Sequence, residues 1–251
     1  MRIARVRFDG RTATAIISGR SAQLVRGGPF GRLQRIGELV PLSKLQFLPP
    51  VRPTKIVAIG INYYSHAGER TPPAQPEPFL KAPSSLIGHG QTILLPRDAG
   101  RVDEEAEVVA VIGRRASRIA EADVDRYVFG YTCGNDVSAR EWQRDDLQWW
   151  RAKSSDTFTA VGPWIETTLT PEHIGVEGRV NGVVIQHADT SQMVHSIRKC
   201  IARITSVMTL ERGDLVFTGT PGTTAALHPG DVVEVEVVGV GVLRNPVALA
   251  P

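Results

Sequence analysis

Between Gly100 and Gly113 the chain reads GRVDEEAEVVAVIG, placing acids where an apolar strand begins. Alternate residues of a strand share a face, so Asp103, Glu105 and Glu107 are expected to point the same way. The run Val108-Val109-Ala110-Val111-Ile112 that follows has the composition of a strand buried on both faces. Unpaired carboxylates are costly in such surroundings and require a cation. A hard divalent ion such as Mg²⁺ or Mn²⁺, which takes oxygen ligands, is the simplest one. Gly134-Asn135-Asp136 offers a third carboxylate at the end of another apolar run. Glu105, Glu107 and Asp136 are therefore the candidate ligands. The competing reading is that the two glutamates cover a solvated face and Asp136 caps a helix starting near Val137.

Two further stretches carry groups suited to proton transfer and anion binding. In Asn62 to Glu69, His66 and Glu69 are three apart, so a helical turn would set a carboxylate beside the imidazole and make a general base. An ordinary surface helix start is the alternative. Flanked by Gly60 and by four prolines between Thr71 and Pro78, the segment reads as a mobile lid. Further on, Arg140 could grip a substrate carboxylate with paired hydrogen bonds. Gln143, one turn later, could orient an oxygen, and Lys153 could neutralise a developing enolate. Trp142, Trp149 and Trp150 read as packing residues. Thr218-Gly219-Thr220-Pro221-Gly222 forms a turn after a short apolar strand and would present N–H groups to an anion. It is not a P-loop, because no Gly-Lys-Ser/Thr follows.

These residues need strands to hold them, and the pattern supplies many. Strand-like runs cover Lys55 to Gly60, Val108 to Ile112, Tyr127 to Cys133, Gly178 to Gln186, Leu215 to Phe217 and Val232 to Val238. Helical spacing is clear only in Glu121 to Arg126 and Met193 to Leu210. The predicted class is α+β and β-dominated. Arg2 to Phe8 and Thr12 to Ile17, joined by Asp9-Gly10, form a hairpin. Residues 1–48 are accordingly expected to form a small N-terminal β-rich domain. The proline-rich segment from Leu48 to Pro53 links it to a catalytic domain over residues 49–251.

Composition narrows the classes. The 251 residues carry a formal charge of +3, without the basic and aromatic interleaving of a nucleic-acid surface. Only five of the 29 basic residues are lysines, which draws attention to Lys81 and Lys153 inside motifs. Two cysteines make no disulfide framework, and no run has the ~18 apolar residues of a membrane span. A reduced, soluble, cytoplasmic protein is expected, with neither a membrane nor a nucleic acid as partner.

In chain order, nine motifs make the sequence resemble the fumarylacetoacetate hydrolase family, in its acylpyruvase and 2-hydroxyhepta-2,4-diene-1,7-dioate isomerase-like branch. They are N-Y-x-x-H-x-x-E (Asn62 to Glu69), P-F-x-K (Pro78 to Lys81), V-D-x-E-x-E (Val102 to Glu107) and G-Y-x-x-x-N-D (Gly130 to Asp136). A-R-x-x-Q (Ala139 to Gln143), A-K-S-x-D-T-F (Ala152 to Phe158), V-N-G (Val180 to Gly182), T-G-T-P (Thr218 to Pro221) and G-D-V-V-E-V-E (Gly230 to Glu236) complete the set. The resemblance implies a mixed β-sheet roll, a homodimer, and Mg²⁺ or Mn²⁺ on Glu105, Glu107 and Asp136. It further implies a His66–Glu69 lid dyad, Lys153 stabilising negative charge, and Arg140, Gln143, Thr220 and Lys81 facing a small 2-oxo acid. The expected reaction is hydrolysis of a C–C bond in an acylpyruvate-type diketo acid through a metal-stabilised enolate. The alternatives are isomerisation, tautomerisation or decarboxylation of a 2-oxo dicarboxylic acid, or a non-catalytic relative. Tyr64, Ser65, Ala160 and the stretch Gly222 to Ala225 depart from the family pattern around the lid and mouth, where substrate identity is decided.

Overall fold

A computed structural model describes all residues, 1–251. Two sheets face each other across the main core. The larger one has 12 strands. Its central path runs from Arg2–Phe8 through Thr159–Glu166, Val128–Asp136, Ala106–Ile112 and Leu215–Phe217 to Ile56–Gly60 and the edge strand Glu77–Lys81. The smaller sheet contains Val183–Asp189, Gly175–Val180, Val232–Val237, Gly241–Leu249 and Ile93–Leu95.

Ala106–Ile112 is buried along its whole length. Val108, Ala110 and Ile112 enter the core shared with Val176, Val233, Val235 and Leu243 of the second sheet. Val109 and Val111 pack on the opposite face with Val161, Ile165 and Phe217. Both faces are covered, which is why the sequence there is continuously apolar rather than alternating. A fully buried Val or Ile side chain contributes about 1.5–3 kcal/mol, so this strand anchors whatever its ends present.

The N-terminal segment is β-rich and has a small core of its own around Ala4, Val6, Ala15, Ile17 and Ala22. Its sheet is nevertheless continuous with the large one, because Arg2 and Ile3 pair with Glu166 and Ile165. Two sequence-based elements differ in the structure. Gly178 to Gln186 is a hairpin of two strands, Gly175–Val180 and Val183–Asp189, turning at Asn181-Gly182. The helix expected from Met193 is shorter, Ile197–Thr205, because Ser196 caps it by accepting from the Lys199 N–H at 3.0 Å. No helix is long and apolar enough to cross a membrane.

One topological feature sets up the site. Leu215–Phe217 and Ile56–Gly60 run parallel and adjacent, so both chains leave the sheet at the same end. The Asn62 carboxamide ties the two exits together. It donates to the Thr218 carbonyl at 2.8 Å and the His195 carbonyl at 3.0 Å, and accepts from the His195 N–H at 2.9 Å. The lid segment and the T-G-T-P turn are thereby neighbours.

Candidate active site

At this end of the large sheet a cleft of ≈ 350 Å³ opens, with Glu105, Glu107, Asp136 and Lys153 among its lining residues. Carboxylate oxygens of Glu105, Glu107 and Asp136 lie within 4.8 Å of one another, and all three residues are buried. Antiparallel pairing of Ala106–Ile112 with Val128–Asp136 brings them together, with Glu107 opposite Gly134 and Ala106 opposite Asn135. Glu105 lies just before its strand. Its N–H donates to Asn135 Oδ1 at 3.0 Å, and its carbonyl accepts the Asp136 N–H at 2.9 Å. Asp136 ends its strand and caps no helix; the next helix is Arg140–Asp145.

The three acids are compensated unequally. Lys153 Nζ lies 2.7 Å from Glu105 Oε2 and 2.8 Å from Asp136 Oδ2. Arg140 reaches Glu105 Oε1 at 2.7 Å. Burial opposes charge on Glu105, but Lys153 and Arg140 outweigh it and draw its carboxyl down to about 2. Burial likewise opposes charge on Lys153, and Asp136 with Glu105 overcomes it, raising the ammonium's pKa. Glu107 has no such cation. Burial, then repulsion from Asp136 and Glu105, pushes its carboxyl well above the usual range. Its one fixed donor is the Gly219 N–H, 2.6 Å from Oε2. Gly219 has φ +100°, and a Cβ there would lie 2.7 Å from Asn62 Cβ, so only glycine lets this N–H approach. The donor that the sequence offers to an anion therefore serves the protein's own carboxylate. Three convergent buried oxygens, one of them on an acid without a neutralising partner, fit a hard divalent cation.

The other expected residues divide. Lys81 does not face the cleft. It is fully buried, and its Nζ donates to Asp136 Oδ1 at 2.5 Å and to the Lys153 carbonyl. Burial lowers its pKa despite Asp136. The edge strand ends beneath Asp136, so Lys81 steadies that carboxylate instead of touching substrate. Arg140 lines the cleft but is occupied. Besides Glu105 it holds Asp103 Oδ2, Gln143 Oε1 and Thr224 Oγ1, each at 2.9 Å. Asp103, expected beside Glu105 and Glu107, instead pairs with Arg101 and Arg140, because the strand breaks at Glu104-Glu105. Gln143 and Thr220 both line the cleft. The Thr220 hydroxyl donates to the Ala106 carbonyl and accepts from Gln186 Nε2.

The His66–Glu69 pair is not formed. The helix is only Tyr64–Ala67, ended by Gly68 at φ +59°, so Glu69 falls outside the turn that would align it with His66. His66 lines the cleft, and its Nδ1 lies 2.7 Å from the Gly222 carbonyl. A carbonyl only accepts, so Nδ1 carries the hydrogen and Nε2 keeps the basic lone pair. Gly222 thus performs the orientation expected of Glu69. Ser65 Oγ accepts the Gly222 N–H at 3.0 Å and grips the same residue from its other side.

Sequence reasoning missed several neighbours. Trp149, expected only to pack, lines the cleft with Phe79, their rings 5.2 Å apart. Arg70 and Arg144 line it as well. Glu104 is buried behind the site, with Oε1 accepting the Ala225 N–H at 3.3 Å and Oε2 unpartnered. Burial pushes its carboxyl up to about 8. Within Asp103-Glu104-Glu105 nothing in the letters separates that acid from its neighbours.

Residues 55–248 match the family described as fumarylacetoacetate (FAA) hydrolase C-terminal, and residues 1–50 match the Rv2993c-like N-terminal family. The chain belongs to the fumarylacetoacetate hydrolase family. One relative, the mitochondrial oxaloacetate tautomerase Fahd2a of Rattus norvegicus, is 38% identical over 223 residues, covering 83% of this chain and 71% of that protein. The crystal structure of 2-hydroxyhepta-2,4-diene-1,7-dioate isomerase from Mycobacterium marinum has a TM-score of 0.93 at 39% identity, covering 99% of this chain and 98% of the other. Maleylpyruvate hydrolase from Sphingobium sp. SYK-6, in complex with manganese(II) ion and pyruvate, has a TM-score of 0.84 at 27% identity over the full length of both chains. The fumarylacetoacetate hydrolase family around this chain thus includes an isomerase, a tautomerase and a hydrolase. The higher-identity neighbours among these are the isomerase and the tautomerase, which turns the balance away from the expected C–C hydrolysis.

Proposed function

We propose that the protein is a Mg²⁺- or Mn²⁺-dependent tautomerase or isomerase of a 2-oxo dicarboxylic acid, acting through the substrate's enolate. The observation that carries this reading is the convergence of Glu105, Glu107 and Asp136 within 4.8 Å, with Lys153 bridging two of them. The isomerase and tautomerase relatives support the reaction type.

Glu105, Glu107 and Asp136 would hold the cation, which when bound supplies Lewis-acid polarisation of the 2-oxo acid's oxygens. Lys153 places a fixed positive charge beside the oxygen on which enolate charge grows. His66, fixed with Nε2 as its basic nitrogen, takes the proton from the carbon next to the keto group and returns it at the alternative position. Trp149, Phe79 and Ile59 wall the cleft and limit water around the exchanging proton. Arg140 and Lys81 act indirectly, holding Glu105 and Asp136 in place.

The test follows enol absorbance of oxaloacetate and of an acylpyruvate with Mg²⁺ or Mn²⁺, while assaying pyruvate and CO₂. Tautomerisation removes enol absorbance without either product. Pyruvate released from the acylpyruvate at higher kcat/KM would restore the hydrolase reading, and CO₂ release matching enol loss would indicate decarboxylation.

A further inference from the structure

The cleft holds more positive charge than its acids use. Arg70, Arg140, Arg144 and Lys153 line it together with three carboxylates. Lys153 and Arg140 are committed to Glu105, Asp136 and Asp103. Arg70 is exposed, and its side chain makes no hydrogen bond or ion pair; only its backbone N–H is bound, to the Ala67 carbonyl at 3.1 Å. Arg144 meets only its chain neighbour Asp145, at 2.6 Å, with both side chains exposed. Water screens such a pair, so Asp145 competes weakly for the guanidinium. The two arginines arrive from different segments, one just past the lid helix and the other on Arg140–Asp145. Ile59, Phe79 and Trp149 line the same cleft and suit a short carbon chain. A divalent ion on the three acids would leave the cleft still more positive, and the first carboxylate of a 2-oxo acid would be taken up there.

We propose that Arg70 and Arg144 bind the distal carboxylate of the substrate and set a preference for 2-oxo dicarboxylates over 2-oxo monocarboxylates. This rests on the proposed 2-oxo acid chemistry of the same cleft. Guanidinium groups suit the role because their donors match both carboxylate oxygens. Carried partly by the lid segment, the contact would also draw His66 towards a filled cleft.

N-oxalylglycine and N-ethyloxamate test this without turnover. They share the chelating end, and only the first has a distal carboxylate. In calorimetry with Mg²⁺, the wild-type protein is expected to bind N-oxalylglycine about tenfold more tightly. The Arg70→Gln/Arg144→Gln double variant should bring that ratio close to one, and the corresponding Lys variant should retain part of it. Thermal unfolding checks that the exposed substitutions leave the fold intact. A wild-type ratio near one, or a ratio that survives in the double Gln variant, overturns the inference. If neither ligand binds wild type, the inference falls together with the metal site. If the ratio collapses as expected but enol turnover is absent, only the assigned reaction fails.

Discussion

Glu105, Glu107, Asp136 and Lys153 on the floor of the cleft, and Lys81 beneath it, are buried, and each is held by partners from at least one other segment. On the rim, Glu69, Arg70 and Arg144 are exposed, and the side-chain hydrogen bonds of Ser65 and His66 to another segment both end on Gly222. Glu107 and Asp136 stand on strands buried along most of their length, whereas His66 rests on a four-residue helix closed by a glycine. Ion binding requires oxygens fixed to a fraction of an ångström, which a packed sheet provides. Proton transfer and substrate entry require a group that can approach and withdraw, which a short, weakly bonded segment permits.

The difference can be broken most severely from below. Lys81→Met removes one of the two buried cations on Asp136 and leaves only Lys153, which it shares with Glu105, so unfolding in urea should show a loss of about 3 kcal/mol. A change under 1 kcal/mol would mean that the floor does not depend on this pair. At the rim, His66→Ala should lower kcat for enol loss by about 10²–10⁴-fold. Mn²⁺ affinity by calorimetry and the unfolding midpoint should barely move; a large fall in Mn²⁺ affinity would place His66 on the floor instead.

The pH response separates the regions next. Glu104 and Glu107 have folded-state pKa values raised above the ordinary 4.5, so above that pH the unfolded chain releases protons that the fold retains. Metal-free stability should therefore fall as pH rises from about 5 towards 8. Glu105, drawn down to about 2, works in the opposite sense and loses its contribution only as pH falls from its ordinary value towards 2. Saturating Mn²⁺, which takes the ionised form of Glu107, should flatten much of the alkaline decline, and Glu107→Gln should weaken Mn²⁺ binding. A thermal-unfolding curve independent of pH between 5 and 8 would contradict this. The smallest effect belongs to Glu69→Gln: with Gly222 orienting His66, kcat should change by less than about threefold, far less than removing the base itself. A loss equal to that of His66→Ala would show that Glu69 reaches His66 once the cleft is filled.

Residue types and spacing alone carried a good deal of this. The apolar run Val108 to Ile112 with acids at its start announced a strand buried on both faces and a charge needing compensation, because burial penalises carboxylates whatever the fold. The order of nine motifs indicates the family, and residue type and spacing point to Glu105, Glu107, Asp136, Lys153 and His66 as candidate site residues. Local rules also located the first hairpin.

What the letters did not contain was partnership across long separations. Lys81 is 55 residues from Asp136, and its burial beneath that carboxylate follows only from the pairing of Glu77–Lys81 with Ile56–Gly60. Arg140 reads as a substrate clamp until Asp103, Glu105 and Thr224 are seen to consume its donors. His66 and Glu69 satisfy helical spacing, yet Gly68 ends the turn, and a carbonyl 156 residues away takes the imidazole hydrogen. Local pattern determines which groups are costly to bury, whereas chain topology decides which neighbour relieves that cost.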